Sequence, residues 1–388
     1  MQVHEANGAK LVDRFFQAGH EKFEFANIDT GGTGSQDVVA LSHRTSDGAT
    51  MLQVINQAGA VAAGMFIAPG GFDNWQLFKI NRHGGAAEEI GVGFTRVSDG
   101  AAFYRVYRRN GGSLQLVTQK LISGAGFDSH VFRAADFDAD GNDEVFVGFK
   151  RVSDGVALYQ SWEPQTNTLI SSGAVTGASF SGHMFVTGNF DGGQAGDEIL
   201  VGFERTSDGR AFYRVMDEFG TTTGLQVVAS NTFENFDWQA INAGAIDLVF
   251  LGMQRASDGR PVYVLRDPVA GVAVASRVAA SAGFTLLQWA TGNFDGNAGN
   301  NHEILAGLTR DSDGATVFQT FTQGGAIVGG ATALGGNFVN AQFVVIRRGV
   351  IHDIYIGGRQ TGGQPVIQVW TGDGIKLLSK FIFNSDAI

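Results

Sequence analysis

Arg151-Val-Ser-Asp-Gly155 belongs to a pattern, Arg-x-Ser-Asp-Gly, that this chain writes six times. Arg44, Arg96, Arg205, Arg255 and Arg310 open the other copies, and a degenerate seventh reads Arg359-Gln-Thr-Gly-Gly363. The arginines follow one another at steps of 52, 55, 54, 50, 55 and 49 residues. A period near 50 along a whole chain marks a repeat architecture, whose units are too small to bury a core alone and must stack. Asp-Gly supplies the positive-φ residues of a tight hairpin, so each copy predicts a turn between two antiparallel strands.

Outward from that turn, the third unit reads as four strands. Residues 127–135 alternate after Gly126 and predict a first strand, and residues 136–143 a loop. Residues 144–151 are β-rich and predict a second strand, which the hairpin joins to a third at 156–162. A polar turn at 164–167 precedes a weaker fourth strand at 169–175. The other units follow suit. Phe23, Leu77, Phe132, Phe185, Trp238, Trp289 and Phe343 occupy one repeated position and read as core between units. Gly93, Gly148, Gly202, Gly252, Gly307 and Gly357 recur inside the second strand, where glycine marks a close approach of backbone.

Seven such units predict an all-β chain, a seven-bladed β-propeller of four-stranded antiparallel blades, forming one domain over residues 1–388. The inner strand pairs fall near 20–48, 72–100, 127–155, 180–209, 233–259, 284–314 and 338–363. Outer pairs occur once too often, because Gln2-Val-His and Lys10-Leu-Val track Gln368-Val-Trp and Lys376-Leu-Leu. One terminal pair completes the ring and the other is surplus; the sequence leaves open which.

Composition narrows the function. The net charge is −11, with 17% charged residues and no extended Lys/Arg run, which argues against a nucleic-acid partner. No apolar run is long enough for a transmembrane helix, so membrane insertion is not expected. The chain has no cysteine, which excludes disulfides, thiolate metal sites and cysteine nucleophiles. Glycine, 56 residues, is about twice its usual ~7% share, as many tight turns require.

One loop carries metal chemistry. Asp136-Phe-Asp138-Ala-Asp140-Gly141-Asn142-Asp143-Glu144 spaces oxygens so that Asp136, Asp138, Asp140, the Asn142 carbonyl and Glu144 can wrap one Ca²⁺, with Gly141 allowing the sharp turn. Hard oxygen donors favour Ca²⁺ over Zn²⁺. Flanking strands and a missing twelfth-position Glu rule out an EF-hand. The fourth unit keeps a weaker set, Asn189, Asp191 and Glu198. The first (Asn27, Asp29, Asp37) and sixth (Asn293, Asp295, Asn297, Glu303) keep part of it. The second, fifth and seventh units, at Asn81-Arg-His, Asn242-Ala-Gly and Arg347-Arg-Gly, have lost the ligands.

The stretch Asp136-Phe-Asp-Ala-Asp-Gly-Asn-Asp-Glu-Val-Phe-Val-Gly148 resembles the FG-GAP/VCBS repeat of integrin α-subunit propellers and bacterial surface proteins. The resemblance covers the inner half of each unit. It implies propeller blades, Ca²⁺ in the Asp-rich loops and a role in binding; the Arg-x-Ser-Asp-Gly hairpin lies outside that pattern.

Other candidates are weighed against packing. Each repeated arginine stands three residues before the Asp of its own turn, so an ion pair bracing the hairpin is expected rather than a ring of free cations. Tyr107, Trp162 and Trp370, near the end of the third strand, are candidates for stacking on sugar rings. His130 and His183 occupy equivalent places beside core strands and read as packed, hydrogen-bonded residues. No nucleophile elbow, P-loop or dinucleotide fingerprint appears. The leading expectation is a secreted or surface-associated, calcium-stabilised recognition module, lectin-like or adhesin-like, with a glycan or protein partner. The alternatives are a polysaccharide lyase or hydrolase with an axial-face site, and a structural domain of a larger surface protein.

Overall fold

The computed structural model describes the chain apart from residues 1, 5–9, 14–19, 34–36, 57–59, 193–195, 218, 221–225, 297–301, 336–337, 349–350, 361–364 and 382–388. Among the described residues there is no helix. The strands form seven four-stranded antiparallel sheets, each a meander in chain order, and one separate two-stranded sheet at the N-terminal end. The third sheet consists of Phe127–Ala135, Glu144–Arg151, Ala157–Glu163 and Thr168–Thr176. Its bounds lie within one residue of those expected. The first strands of consecutive sheets lie against one another, from the first sheet through to the seventh.

The hairpin motif folds as its residues dictate. In the third sheet the Gly155 N–H donates to the Arg151 carbonyl at 2.8 Å, with Gly155 at φ 73°. The Asp154 carboxylate accepts from Arg151 and from the Val156 N–H. The same i, i+3 ion pair joins Arg44 to Asp47, Arg96 to Asp99, Arg205 to Asp208, Arg255 to Asp258 and Arg310 to Asp313. The expected local brace is what these arginines form. The degenerate seventh turn runs into residues 361–364, which lie outside the described residues.

Between sheets, one contact recurs. A Cβ built on Gly93 would fall 2.1 Å from the ring of Phe132, and one on Gly148 2.3 Å from that of Phe185. Gly202 meets Trp238, Gly252 meets Trp289 and Gly307 meets Phe343 in the same way, at 2.3–2.4 Å. In the second to sixth sheets the second strand is therefore bared at one residue so that an aromatic ring from the next sheet lies on its backbone. The first interface departs from this rule on both sides together. Leu41 stands where the glycine would be, and its neighbour in the next sheet is Leu77, not an aromatic. Six apolar clusters fill the six described interfaces, each drawing residues from two consecutive sheets. Register also corrects one assignment: Phe25, opposite Ala40, is the counterpart of Phe132, opposite Val147, so Phe23 does not hold the repeated aromatic place.

A polar clamp accompanies the rings. In the second to seventh sheets a residue at the start of the second strand, or just before it, donates its N–H to a carbonyl at the end of the preceding sheet's first strand or in the loop after it: Glu88 to Asp29, Asp143 to Asn81, Asp197 to Asp136, Asp247 to Asn189, His302 to Asn242 and His352 to Asn293, at 2.6–2.9 Å. Four clamps are reciprocal, because the side chains of Glu88, Asp143, Asp247 and His352 accept the N–H of Asp29, Asn81, Asn189 and Asn293.

The question of the surplus outer pair is answered. Pro365–Trp370 and Lys376–Phe381 complete the seventh sheet, while Gln2–His4 and Lys10–Asp13 form the separate two-stranded sheet.

The ring-on-glycine contact generates a prediction. Gly148 does not have a left-handed φ, so a side chain there costs packing rather than backbone strain. Gly148→Leu should destabilise the chain by ~1–3 kcal/mol through overpacking against Phe185. Gly148→Leu with Phe185→Leu copies the Leu41–Leu77 interface and should recover at least half of that loss. Urea denaturation of the full double-mutant cycle measures it, and additive losses would show that the two positions do not interlock.

Candidate functional site

The loop between the first two strands of the third sheet folds around its own carboxylates. The Gly141 N–H donates to Asp136, the Asp140 N–H to Asp138 and the Phe137 N–H to Glu144. Ala139 (φ 60°) and Gly141 (φ 88°) make the sharp turns. One oxygen each from Asp136, Asp138 and Glu144 lie within 4.8 Å of one another. Asp140 is turned instead toward Asn142, accepting from its backbone N–H and side-chain Nδ2 at 2.8 Å each. Of the five expected ligands, the fold thus brings three carboxylates together and leaves Asp140 beside them.

The trio is electrostatically incomplete. Glu144 is fully buried, and its Oε1 and the Asp136 Oδ1 have no hydrogen-bond partner. Burial, reinforced by Asp138, pushes the Glu144 carboxyl up to about 8. Burial also raises Asp136, and raises the clamp residue Asp143 to about 6. Buried carboxylates need a compensating charge.

The repeat supplies its own comparison. The place of Glu144, four residues before the repeated glycine position of the second strand, is held by Asp37, Glu89, Glu198, Glu303 and Asp353 in other sheets and by Leu248 in the fifth. In the second sheet Arg82, only 4% exposed, sits where Phe137 sits in the third and pairs with Glu89 at 2.5 Å, joined by Arg108 at 2.7 Å. Asp37 of the first sheet pairs at 3.1 Å with Arg109, which reaches it from the third strand of the second sheet. Glu198 and Glu303 form no such pair with an arginine among the described residues; the buried Phe190 and Phe294 donate their N–H groups to them, as Phe137 does to Glu144. Burial pushes Glu198 up to about 7 and raises Glu303. Asn189 and Asn293 accept the N–H of Gly192 and Gly296, repeating the role of Asp136, and Asp191 follows Phe190 in the loop. The second unit therefore did more than lose ligands: a guanidinium occupies the charge's place. The signal in the sequence was an arginine, Arg82, at the repeat position of Phe137; its burial and its pairing with Glu89 are seen only in the fold.

At the other end of the first strands lies a cleft of about 590 Å³, lined by Glu24, His43, Asp73, Asn74, Trp75, Gln76, Ser129 and His130. Some six residues separate Ser129 from Asp136, which is ~20 Å along a strand. The cleft exists because each first strand carries an irregularity here: register slips between Asp73 and Gln76 and between Asp128 and Val131. Asn74 and Ser129 take left-handed φ values of 52° and 55°, as do Gly182 and Asn235 at the same repeat position. Such residues cluster where function needs a special backbone. Gln76 crosses to the next sheet, donating to the His130 carbonyl and accepting the Phe132 N–H. Trp75 stacks on Phe94 with centroids 4.7 Å apart. His130, 5% exposed, bonds Ser123 Oγ through Nε2 at 2.8 Å and leaves Nδ1 without a partner. Composition and motif reading missed Asn74, Trp75, Gln76 and Ser129; the recurrence of Asn, Ser, Gly and Asn at one repeat position was the available signal.

The three aromatic candidates for sugar stacking are corrected. Tyr107, Trp162 and Trp370 are 1%, 8% and 7% exposed. They belong to the clusters between sheets, and Lys120 Nζ lies 4.0 Å over the Trp162 ring. None offers an open face. His130 and His183 are packed and bonded as expected, to Ser123 and Thr176.

No protein-family model matches the chain, and no characterised protein is recognisably similar in sequence. Solved structures do resemble it. The BP39L lectin from Burkholderia pseudomallei superposes with a TM-score of 0.67 at 16% identity, over 95% of this chain and all of that one. Prolyl oligopeptidase B from Galerina marginata gives 0.55 at 10% identity, over 95% of this chain, which spans about half (52%) of that protein. The Dos1 propeller gives 0.48 at 10% identity, over 88% of this chain and 74% of that one. At these identities the likeness is one of fold.

The two histidines generate a prediction. Burial holds His130 and His183 down to about 4, below the ordinary imidazole value near 6.5. The unfolded chain then binds more protons than the folded one between those values. The stability the neutral rings contribute is complete above pH ~6.5 and is lost as pH falls toward 4. Melting temperatures scanned from pH 7.5 to 4 should fall less steeply in His130→Gln/His183→Gln than in the unaltered chain. Parallel curves would show that other groups carry the acid limb.

Proposed function

We propose that this chain is a carbohydrate-binding β-propeller of seven four-stranded blades, stabilised by calcium. The observation that carries the recognition reading is the cleft. It brings together convergent amide, hydroxyl and carboxylate groups and a buried imidazole nitrogen lacking a partner, while Trp75, stacked on Phe94 and buried, forms its floor. Sugars present hydroxyls, as donors and acceptors, to such groups. The fold likeness to a lectin, BP39L, supports the same reading. A glycan receptor of this kind works on a cell surface or after secretion.

Ring closure is supported by the interlock. Gly357 repeats the glycine place in the seventh sheet, and Phe25 repeats the aromatic place in the first. A seventh interface between them would follow the pattern of the other five glycine pairs.

The calcium reading rests on the two buried oxygens without partners and on the arginine that replaces a cation in the second sheet. Asp136, Asp138 and Glu144 would hold the ion, with Asp140 and the Asn142 carbonyl completing the shell in the manner of the FG-GAP/VCBS repeat. Asn189, Asp191 and Glu198 would form a weaker site. The ion would cancel the repulsion within the loop and stabilise the folded state by binding it alone.

Glycan-array screening tests recognition. Asn74→Gly removes the cleft amide while keeping the left-handed backbone. It should weaken any array hit at least tenfold, and a silent array or an unaffected variant refutes the site. Calcium titrated calorimetrically into chelated protein should be taken up by the unaltered chain and not by Asp138→Ala. Phe137→Arg, which imports the arrangement of the second sheet, should also take up none at that loop. Because cleft and loop lie at opposite ends of the strands, chelation should lower the melting temperature and leave glycan affinity unchanged.

A further inference from the structure

The N-terminal two-stranded sheet is a second copy of the outer half of the seventh sheet. In the seventh sheet Gln368 pairs with Ser379, Val369 with Leu378 and Trp370 with Lys376, with a register shift between Val369 and Trp370. In the N-terminal sheet Gln2 pairs with Asp13, Val3 with Val12 and His4 with Lys10, with the shift between Val3 and His4. Every pair, and the shift, corresponds at one constant offset of 366 residues (368 less 2, 376 less 10). Gln2, Val3, Gly8, Lys10, Leu11 and Phe15 are identical to their counterparts.

The link that follows the N-terminal hairpin is one residue shorter than the links between the other sheets. In the six links between consecutive sheets, Phe66 precedes Phe72, Leu121 precedes Phe127, Ala174 precedes Phe180, Val227 precedes Phe233, Val278 precedes Phe284 and Thr332 precedes Phe338, each by six residues. Each pairs with the same position of its sheet's third strand. Its counterpart in the seventh sheet is Phe381, opposite Val366, and the offset carries Phe381 to Phe15. Phe15 stands five residues before His20, the start of the first sheet. An N-terminal hairpin seated as the outer pair of the seventh sheet would therefore feed the first sheet much as every other outer pair feeds its successor.

We propose that the edge of Ile351–Gln360 that pairs with Pro365–Trp370 is also a docking edge for the chain's own N-terminal hairpin, which exchanges there with the resident Pro365–Phe381. Register in a half-buried strand pair is set by the side-chain pattern, so a hairpin with the same pattern and the same bulge fits the same edge. Docked, it ties the first sheet to the seventh through the chain itself and releases residues 365–388 from the ring. The exchange rests on the ring closure proposed above, since the hairpin must reach the seventh sheet from the first.

The chain's lack of cysteine makes disulfide trapping clean. Antiparallel partners stand ~4.5–5.5 Å apart at Cα, within the ~4.4–6.8 Å that a disulfide spans. Tyr355 pairs with Val369, so Tyr355→Cys with Val369→Cys traps the resident pair, and Tyr355→Cys with Val3→Cys traps the docked hairpin. Both are made in the full chain, alone and with Trp370→Ala, which removes a buried ring from the resident pair. The expected result is a cross-link between positions 3 and 355 within one chain, rising at least threefold with Trp370→Ala while the link between positions 355 and 369 falls. A third pair, Gln36→Cys with Arg347→Cys, stands at the repeat positions of the Asp143–Asn81 type of clamp and traps ring closure alone. A closure link without any link from position 3 overturns the exchange and leaves the ring. Loss of both overturns the ring and the exchange together. Links from position 3 found only in dimers overturn docking within the chain in favour of exchange between copies.

Discussion

An aromatic ring laid flat on a glycine holds these sheets together. A single four-stranded sheet cannot bury its faces against its own residues, so its stability depends on its neighbours. Gly93, Gly148, Gly202, Gly252 and Gly307 each remove a side chain so that the next sheet can insert a ring. The ring brings apolar area and the glycine brings proximity, and neither works alone. The Leu41–Leu77 interface shows the same constraint met with two medium-sized residues, where volume is conserved across the pair rather than at each position. With these side-chain contacts fixing the spacing, the backbone clamps from Glu88–Asp29 to His352–Asn293 come within hydrogen-bond reach.

Those clamps start from the loops that follow the first strands, which ties the carboxylate chemistry to the architecture. Asp136 contributes its carbonyl to the clamp with Asp197 and its carboxylate to the trio with Asp138 and Glu144. A charge at that place thus acts on the contact between two sheets as well as on one loop. The repeat resolves the buried acid in different ways: guanidinium at Glu89 and Asp37, leucine at position 248, and open carboxylate oxygens at Glu144. Comparing these solutions within one chain gives the cation reading its force, because the surrounding fold is held constant.

The cleft proposed for recognition lies at the far end of the same strands, where the sheets carry a few left-handed residues. Asn74 and Ser129 are displayed by irregularities in strands that are otherwise fully paired. Binding groups placed on a stiff scaffold lose little entropy when a ligand arrives.

The repeat period, the hairpins, the strand bounds of the third unit and the composition of the Asp136–Glu144 loop were all legible in the sequence, because each depends on residues close together along the chain. Asp-Gly makes a turn wherever it stands, and alternation over nine residues makes a strand. The roles of Tyr107, Trp162 and Trp370 were not legible. A ring in a strand is a binding platform or core depending on what a neighbouring sheet places over it. The same holds for Arg82, whose acid lies in its own sheet but whose burial depends on the sheets around it, and for the cleft, built from three consecutive sheets some 50 residues apart in sequence. Local pattern determined the units. The tertiary structure alone decided which of their faces meet, and burial and charge compensation follow from that meeting.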